Sequence, residues 1–150
     1  MSASDFDPPL RLLSEFSQLL NGQEPRYVAP VEGREMWVAG ETRSDKRITV
    51  IVAEYKKEVT FTTRSVCDYQ TYRQRPLPEW ARPFGDATLA LIEADIPMQE
   101  GFYLAIAGNE PPGPRFRHAL MLAFGTFVFK LNGMPGHQDQ LMRIFKERFV

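Results

Sequence analysis

A nearly continuous apolar stretch at 119–129 constrains the fold of this chain more than any other feature. A turn rich in glycine and proline precedes it at 108–114, and Gly133 and Pro135 follow it as helix-ending residues. Apolar side chains occur on nearly all sides of 115–131, which predicts a helix buried on every face. The rest of the chain must therefore pack around this helix, and the apolar stretch is too short to span a bilayer.

Three amphipathic helices are predicted around the central one. Leucine and phenylalanine recur at helical spacing in 9–21, where two prolines open the segment and an Asn-Gly pair ends it. The segments 79–94 and 137–149 each carry an apolar stripe at the same spacing. Residues 1–8 are polar and acidic and are predicted to form a flexible tail.

Four segments have the composition of β-strands: 35–39, 47–53, 58–63 and 101–107. The second and third flank a short charged turn and are predicted to pair as an antiparallel hairpin. Residues 65–79 are interpreted as a loop. Together with the helices, these strands predict a single α+β domain over 9–150, with an antiparallel or mixed sheet of four or five strands and helices on one face.

The composition excludes several classes of protein. The 150 residues carry a formal net charge of −1, so no overall field attracts nucleic acid or an anionic membrane. The single cysteine, Cys67, excludes a disulfide framework, and no cysteine and histidine residues have the spacing of a zinc site. The N-terminus has no signal-peptide pattern, and the predicted location is cytoplasmic, with no membrane association.

The order of the central motifs resembles a known family. Trp80, Ile96-Pro97, Gly101-Phe102, Gly108-Asn109 and Pro111-Pro112-Gly113 occur in the order found in the N-terminal half of galactokinases, members of the GHMP kinase superfamily. The resemblance is most specific over 101–131, and weaker similarity extends over most of the chain. It implies the fold of a GHMP N-terminal domain, and for a working enzyme it implies ATP and magnesium.

The phosphate-binding turn departs from the pattern of that family. Galactokinases continue Pro-x-Gly-x-Gly-Leu-Ser-Ser-Ser-Ala, in which the glycines bring backbone N–H groups to the nucleotide phosphates. Here Arg115 replaces the second glycine, 117–119 replace the serine triplet, and Pro112 and Pro114 remove backbone donors. The sequence also ends before the position of the family's catalytic aspartate. We therefore predict no catalytic residue, no cofactor and no metal site.

The sugar-binding motif of the family allows two alignments. In one, 29–34 and 40–45 correspond to the two parts of the motif, which makes Arg34, Glu41 and Asp45 weak sugar-site candidates. In the other, which needs fewer distortions, the motif is deleted and Arg34 begins the strand that follows it. Charges alternating along an exposed strand explain the same three residues without any ligand.

Two further groups of residues are candidates for binding. Arg115, Arg117 and His118 stand where a helix is expected to begin, so they form an anion or phosphate candidate, although a solvated basic turn explains them without any ligand. Tyr69, Tyr72, Arg73 and Trp80 combine aromatic and basic side chains, a composition typical of protein interfaces. The same alternation occurs in proteins that bind single-stranded nucleic acid, but this segment is not embedded in a basic stretch of sequence, which such binding would favour.

Three functions remain open from the sequence. The leading hypothesis is a degenerate, non-catalytic galactokinase-like domain that binds a protein partner or a small anionic ligand. The first alternative is a divergent sugar kinase that uses ATP and magnesium on galactose or a similar sugar. The second is an unrelated interaction module. A homodimer or a complex with another protein is expected to use the region 69–83.

Overall fold

The computed structural model describes residues 10–148 except 21, 99, 112 and 136, without the side chains of Arg11, Leu19 and Glu147. The predicted tail at 1–8 and the last two residues lie outside this range. Within these residues, the α-helices and strands are α1 (Leu10–Leu19), β1 (Tyr27–Pro30), β2 (Met36–Arg43), β3 (Ile48–Val52), β4 (Lys57–Phe61), α2 (Arg82–Glu93), β5 (Gly101–Gly108), α3 (Pro114–Leu131) and α4 (Gln138–Phe145).

The strands form one mixed sheet in the order β1-β2-β5-β3-β4. Neighbouring strands are antiparallel except β3 and β5, which run parallel. The predicted α+β class is therefore confirmed, as is the antiparallel hairpin of β3 and β4. The strand predicted at 35–39 extends to Arg43, and the short edge strand β1 was not predicted.

The connection between β2 and β3 crosses the beginning of β5, which lies between them. The N–H of Gly101 donates to the carbonyl of Asp45, and the N–H of Phe102 donates to the carbonyl of Arg47, both at 3.0 Å. A Cβ at position 101 would lie closer than 3.0 Å to backbone atoms of this connection. Glycine is therefore required where the loop passes over the strand.

The larger core lies between the sheet and the helices α2, α3 and α4. As predicted, α3 is its centre, because every residue from Ala119 to Phe129 is buried. Phe124 is fully buried and has its ring centroid 5.7–6.3 Å from those of Phe61, Phe84 and Phe102. Such aromatic pairs add to the stabilisation that burial alone provides.

The ring of Phe127 packs directly against a glycine in β2. The residue opposite Tyr27 and Leu104 in the ladder is Gly40, and a side chain there would meet the Phe127 ring and the carbonyl of Tyr103. The ring also packs edge-on against Tyr27 at 6.1 Å and tilted against Phe102 at 5.1 Å. The absence of a side chain at position 40 therefore lets α3 approach the sheet closely.

The first helix packs on the opposite face of the sheet. Leu12 and Phe16 of α1 are fully buried against a patch of small side chains, Ala39, Ala105 and Ala107. The prediction that the helices share one face is correct for α2, α3 and α4 and wrong for α1. The periodicity of a helix shows that it has an apolar stripe, but it does not show which face of the sheet that stripe covers.

The remaining predicted elements agree with the structure in position. The segment 79–94 begins as a short 3₁₀ turn and continues as α2, with Pro83 in its first turn. The last helix is shorter than predicted, since α4 ends at Phe145 and a 3₁₀ turn follows over Lys146–Arg148. The predicted loop at 65–79 contains a short 3₁₀ turn at Ser65–Asp68. None of the helices in the described part of the chain is long and apolar enough to cross a membrane.

Candidate functional site

The sheet face that carries α1 has a second, polar half beside the helix. Here strand register places Glu41, Tyr103, Thr49 and Thr60 in one row across four strands. Around the row lie arginine and tyrosine side chains from β2, β5 and two loops. We call this area the arginine–tyrosine surface and define it by Arg43, Arg47, Tyr72, Arg73 and Tyr103.

Arg43 is held in place by contacts on several sides. Its guanidinium carbon lies 4.2 Å from the centre of the Tyr103 ring, within the range of a cation–π interaction. Its Nη1 donates to Thr49 Oγ1 at 2.9 Å, and Thr49 Oγ1 lies 2.8 Å from Thr60 Oγ1. Its Nε and Nη2 also face the two carboxylate oxygens of Asp45, at 2.6 and 2.9 Å. This network fixes the guanidinium above the sheet before any ligand binds.

A second arginine and tyrosine stack lies beyond the edge of the sheet. The backbone N–H of Tyr72 donates to the carbonyl of Thr60 in the edge strand β4 at 3.0 Å, which anchors the loop there. The guanidinium carbon of Arg47 lies 4.4 Å from the Tyr72 ring centre, and that of Arg73 lies 5.3 Å from it. The Nε of Arg73 also donates to the Tyr72 hydroxyl at 2.8 Å.

Asp45 supplies the negative charge closest to these arginines. Burial raises the pKa of its carboxyl group, but the backbone N–H of Arg47 and the guanidinium of Arg43 outweigh that effect. The pKa of Asp45 is therefore below its ordinary value of 3.8, and the group is ionised at neutral pH. The surface consequently presents both signs of charge.

The structure separates the three sugar-site candidates. Arg34 precedes β2 and lies 3.8 Å from the carboxylate of Glu110, whereas Asp45 follows β2 and pairs with Arg43. Eight strand residues separate these ends, a distance on the order of 25 Å at about 3.3 Å per residue. Glu41 lies in the strand and pairs with Arg26 at 3.5 Å. The three residues therefore form no common site, and each has a partner of opposite charge.

The anion candidates lie in the first turns of α3, as predicted. Arg117 is half exposed and approaches the carboxylate of Asp86 at 4.0 Å, so a protein carboxylate already lies beside it. Arg115 is exposed, and His118 is partly buried. Asp86 also accepts a 2.5 Å hydrogen bond from the hydroxyl of Tyr69. This bond, burial and the Asp86 charge raise the pKa of Tyr69 above 10.0.

The four interface candidates divide into two pairs. Tyr69 and Trp80 pack against the larger core, where Trp80 contacts Tyr55 and Phe84 with ring centroids 6.1 and 6.4 Å apart. Tyr72 and Arg73 belong to the arginine–tyrosine surface instead. The pattern of the sequence identified this segment, but it did not show which of its aromatic residues face the core.

Two backbone donors of the segment before α3, those of Gly108 and Asn109, are bound within the protein. The N–H of Gly108 donates to Glu54 Oε1 at 2.9 Å, and the N–H of Asn109 donates to the carbonyl of Glu35 at 2.7 Å. The carboxylate of Glu110 accepts from the N–H of Glu35 at 3.0 Å. The carboxylates of Glu54 and Glu110 therefore lie at the start of the segment that the galactokinase resemblance would make a phosphate-binding turn.

The chain matches no protein-family model, and it matches no curated protein. The resemblance of 101–131 to galactokinases therefore stays a prediction. Within the ranges that the structure describes, no three histidine, cysteine, aspartate or glutamate residues are arranged to hold a metal ion.

Sequence reasoning missed three residues of the arginine–tyrosine surface: Arg43, Arg47 and Tyr103. They lie up to 60 positions apart in sequence and meet because β5 lies between β2 and β3. The sequence carries a weak signal of this surface. Glu41 and Arg43 continue the alternation of side chains between the two faces of β2, and Tyr103 interrupts the otherwise apolar strand β5.

Proposed function

We propose that this domain functions by binding a protein rather than by catalysis, and that the arginine–tyrosine surface is its contact site. The observation that supports this most directly is the pair of arginine–tyrosine stacks, Arg43 on Tyr103 and Arg47 on Tyr72. Arginine and the aromatic residues are enriched in the cores of protein interfaces and at binding hot spots.

Preorganisation favours binding at this surface. Association normally costs about 0.5–1.5 kcal/mol for each flexible side chain that it immobilises. Arg43 is already fixed by Tyr103, Thr49 and Asp45, so little of this cost remains there when a partner binds. The ring of Tyr72 contacts the guanidinium groups of both Arg47 and Arg73, and its hydroxyl accepts from the Nε of Arg73, so it is similarly restrained.

The first partner to test is a second copy of this chain. A two-fold interface requires a surface that complements itself, and this surface offers arginines together with the ionised Asp45. With a formal net charge of −1, two copies also repel each other only weakly. Self-association at this face agrees with the homodimer expected from the sequence, with the contact moved to Tyr72, Arg73 and the sheet.

The turn before α3 supports a non-catalytic role. Its backbone donors at Gly108 and Asn109 bind acceptors of the protein, so these two N–H groups are already used and do not bind a phosphate. Phosphoryl transfer depends on donors and cations that cradle the transferred phosphate. In a coupled ADP-release assay with galactose, ATP and magnesium, we expect no turnover above background. Turnover that disappears in Arg117→Ala would support the divergent kinase instead.

Sedimentation velocity and light scattering of the wild type across the micromolar range test the dimer. We expect a dimer whose population grows with concentration and decreases in Tyr72→Ala and Arg47→Ala. Arg82→Ala is the matched control, because Arg82 is an exposed arginine at the start of α2, away from this surface. Circular dichroism and thermal melts should show that all variants fold.

Two results would contradict the proposal. A wild-type protein that stays monomeric at the highest concentration contradicts self-association, and a dimer unchanged by both substitutions contradicts this contact face. Binding of a fluorescent single-stranded oligonucleotide that weakens in Tyr72→Ala would assign the stacks to nucleic acid, since bases stack on aromatic and guanidinium groups in the same way.

A further inference from the structure

A groove of about 810 Å³ runs between α2 and α4, on the side of the sheet opposite the arginine–tyrosine surface. Its lining is mixed: Ala90, Ala94, Ile96 and Ile144 supply the apolar part, called its floor below, and Gln140 and charged side chains supply the rest. Leu141 and Phe145 of α4 are buried in the core, whereas Ile144 is only partly buried and lines the groove. The volume lies within the range of ligand pockets in proteins, about 300–1,000 Å³.

The rim of the groove carries an excess of positive charge. Three cationic residues from α4 and the turn after it line it, namely Arg143, Lys146 and Arg148, with Glu93 as the opposing carboxylate. Glu93 is neutralised by Arg148, whose Nη2 lies 2.6 Å from its Oε1. Among the described side chains, Arg143 and Lys146 form no ion pair, so two cations remain available at the rim.

One end of the rim is fixed by a network that reaches the core. Arg148 binds Glu93 and also lies 4.0 Å from Asp86, which accepts the hydrogen bond from Tyr69. Arg148 therefore connects α2 to the segment after α4 at this end of the groove. Arg143 and Lys146 are exposed and can turn toward a ligand.

We propose that this groove binds an acidic amphipathic segment of a partner protein. Carboxylates of the segment pair with Arg143 and Lys146, and its apolar side chains cover Ile96 and Ile144. A groove between two helices with an apolar floor is a recurring site for such segments. A small inorganic anion would leave the apolar floor exposed to water, which disfavours it as the natural ligand. This site is independent of the proposed self-association and does not rest on it.

Selection of short random peptides displayed on phage, with the full chain as bait, tests this proposal. We expect enriched peptides in which aspartate or glutamate alternates with large apolar residues. The best of them, synthesised with a fluorescent label, should lose about tenfold or more in affinity to Arg143→Glu and to Lys146→Glu, because each variant places like charges together. Ile144→Ala should weaken binding without changing its dependence on salt.

Arg82→Glu is the matched control, since it reverses an exposed charge of α2 away from the groove. Thermal melts should show that each variant folds, and Tyr72→Ala should bind the peptide as the wild type does. The proposal is overturned if no peptide is enriched, if the enriched peptides lack acidic residues, or if the groove variants bind as tightly as the control. Binding of phosphatidylserine vesicles by the wild type, lost in Lys146→Glu while no peptide binds, would assign the groove to a lipid surface.

Discussion

Replacing Gly40 by alanine tests the close packing of α3 on the sheet. The new Cβ would lie closer than 3.0 Å to two ring carbons of Phe127 and 2.6 Å from the carbonyl oxygen of Tyr103. Carbon atoms in contact normally lie about 3.5–4.0 Å apart, so the ring must move by about an ångström or more. Phe127 is fully buried, and Phe102 and Tyr27 lie against it, so the ring can move only if these neighbours shift as well.

We expect Gly40→Ala to lower the free energy of unfolding by about 3 kcal/mol, the upper part of the range for overpacked cores. For a chain of this length, that loss lowers Tm by about 6–12 °C. Urea unfolding followed by circular dichroism measures the change. A loss below about 1 kcal/mol would show that the helix and the sheet can separate at this point and that the packing described is wrong.

A double-mutant cycle identifies the atom that causes the loss. Phe127→Ala alone should cost about 3–5 kcal/mol, because it leaves a cavity. In the double variant, the methyl group introduced by Gly40→Ala enters the space of the missing ring. The combined loss should therefore be smaller than the sum of the single losses by about 1–3 kcal/mol. Additive losses would assign the clash to the Tyr103 carbonyl instead.

Three further outcomes are expected. Leu122→Ala and Phe124→Ala should each cost about 2–5 kcal/mol in urea unfolding, and a melt within a degree or two of the wild type would contradict their burial. Because the pKa of Tyr69 is raised, its contribution to stability is complete below pH 10.0 and is lost as the pH rises further. Tyr69→Phe should therefore remove this part of the decrease in the free energy of unfolding at alkaline pH. Because the pKa of Asp45 is lowered, its contribution to stability is complete above pH 3.8 and is lost at lower pH. Asp45→Asn should therefore reduce the fall in the free energy of unfolding at acid pH. An unchanged fall would show that the ion pair of Asp45 does not contribute to stability.

Periodicity predicted the elements that depend on local pattern. The apolar stretch of α3 and the β-branched runs of β3 and β4 carry their structure in their own residues. The edge strand β1 does not, since it has four residues and one of them is Pro30, and its strand conformation depends on pairing with β2. The face of the sheet on which α1 packs depends on the alanines of β2 and β5, which form a flat surface only after the sheet has formed.

The candidate sites were predictable to a smaller extent. The sequence offered Tyr72 and Arg73 as interface candidates, but Arg43 and Tyr103 join the same surface only through strand register. One alignment to the galactokinase sugar motif grouped Arg34 with Asp45, although the length of β2 keeps them apart. Residue type therefore suggested the chemistry of a site, while topology decided which residues share it.

The position of β5 has a consequence for how this chain reaches its native state. The central strand of the sheet is the last to be synthesised, and β2 and β3 are joined before it by a loop that β5 must pass beneath. Until residues 101–108 emerge from the ribosome, the two hairpins have facing edges with unpaired backbone groups. Such edges can accept a strand from another molecule. We expect slow folding dominated by long-range contacts, and exchange of β5 between copies as the main route to misassembly.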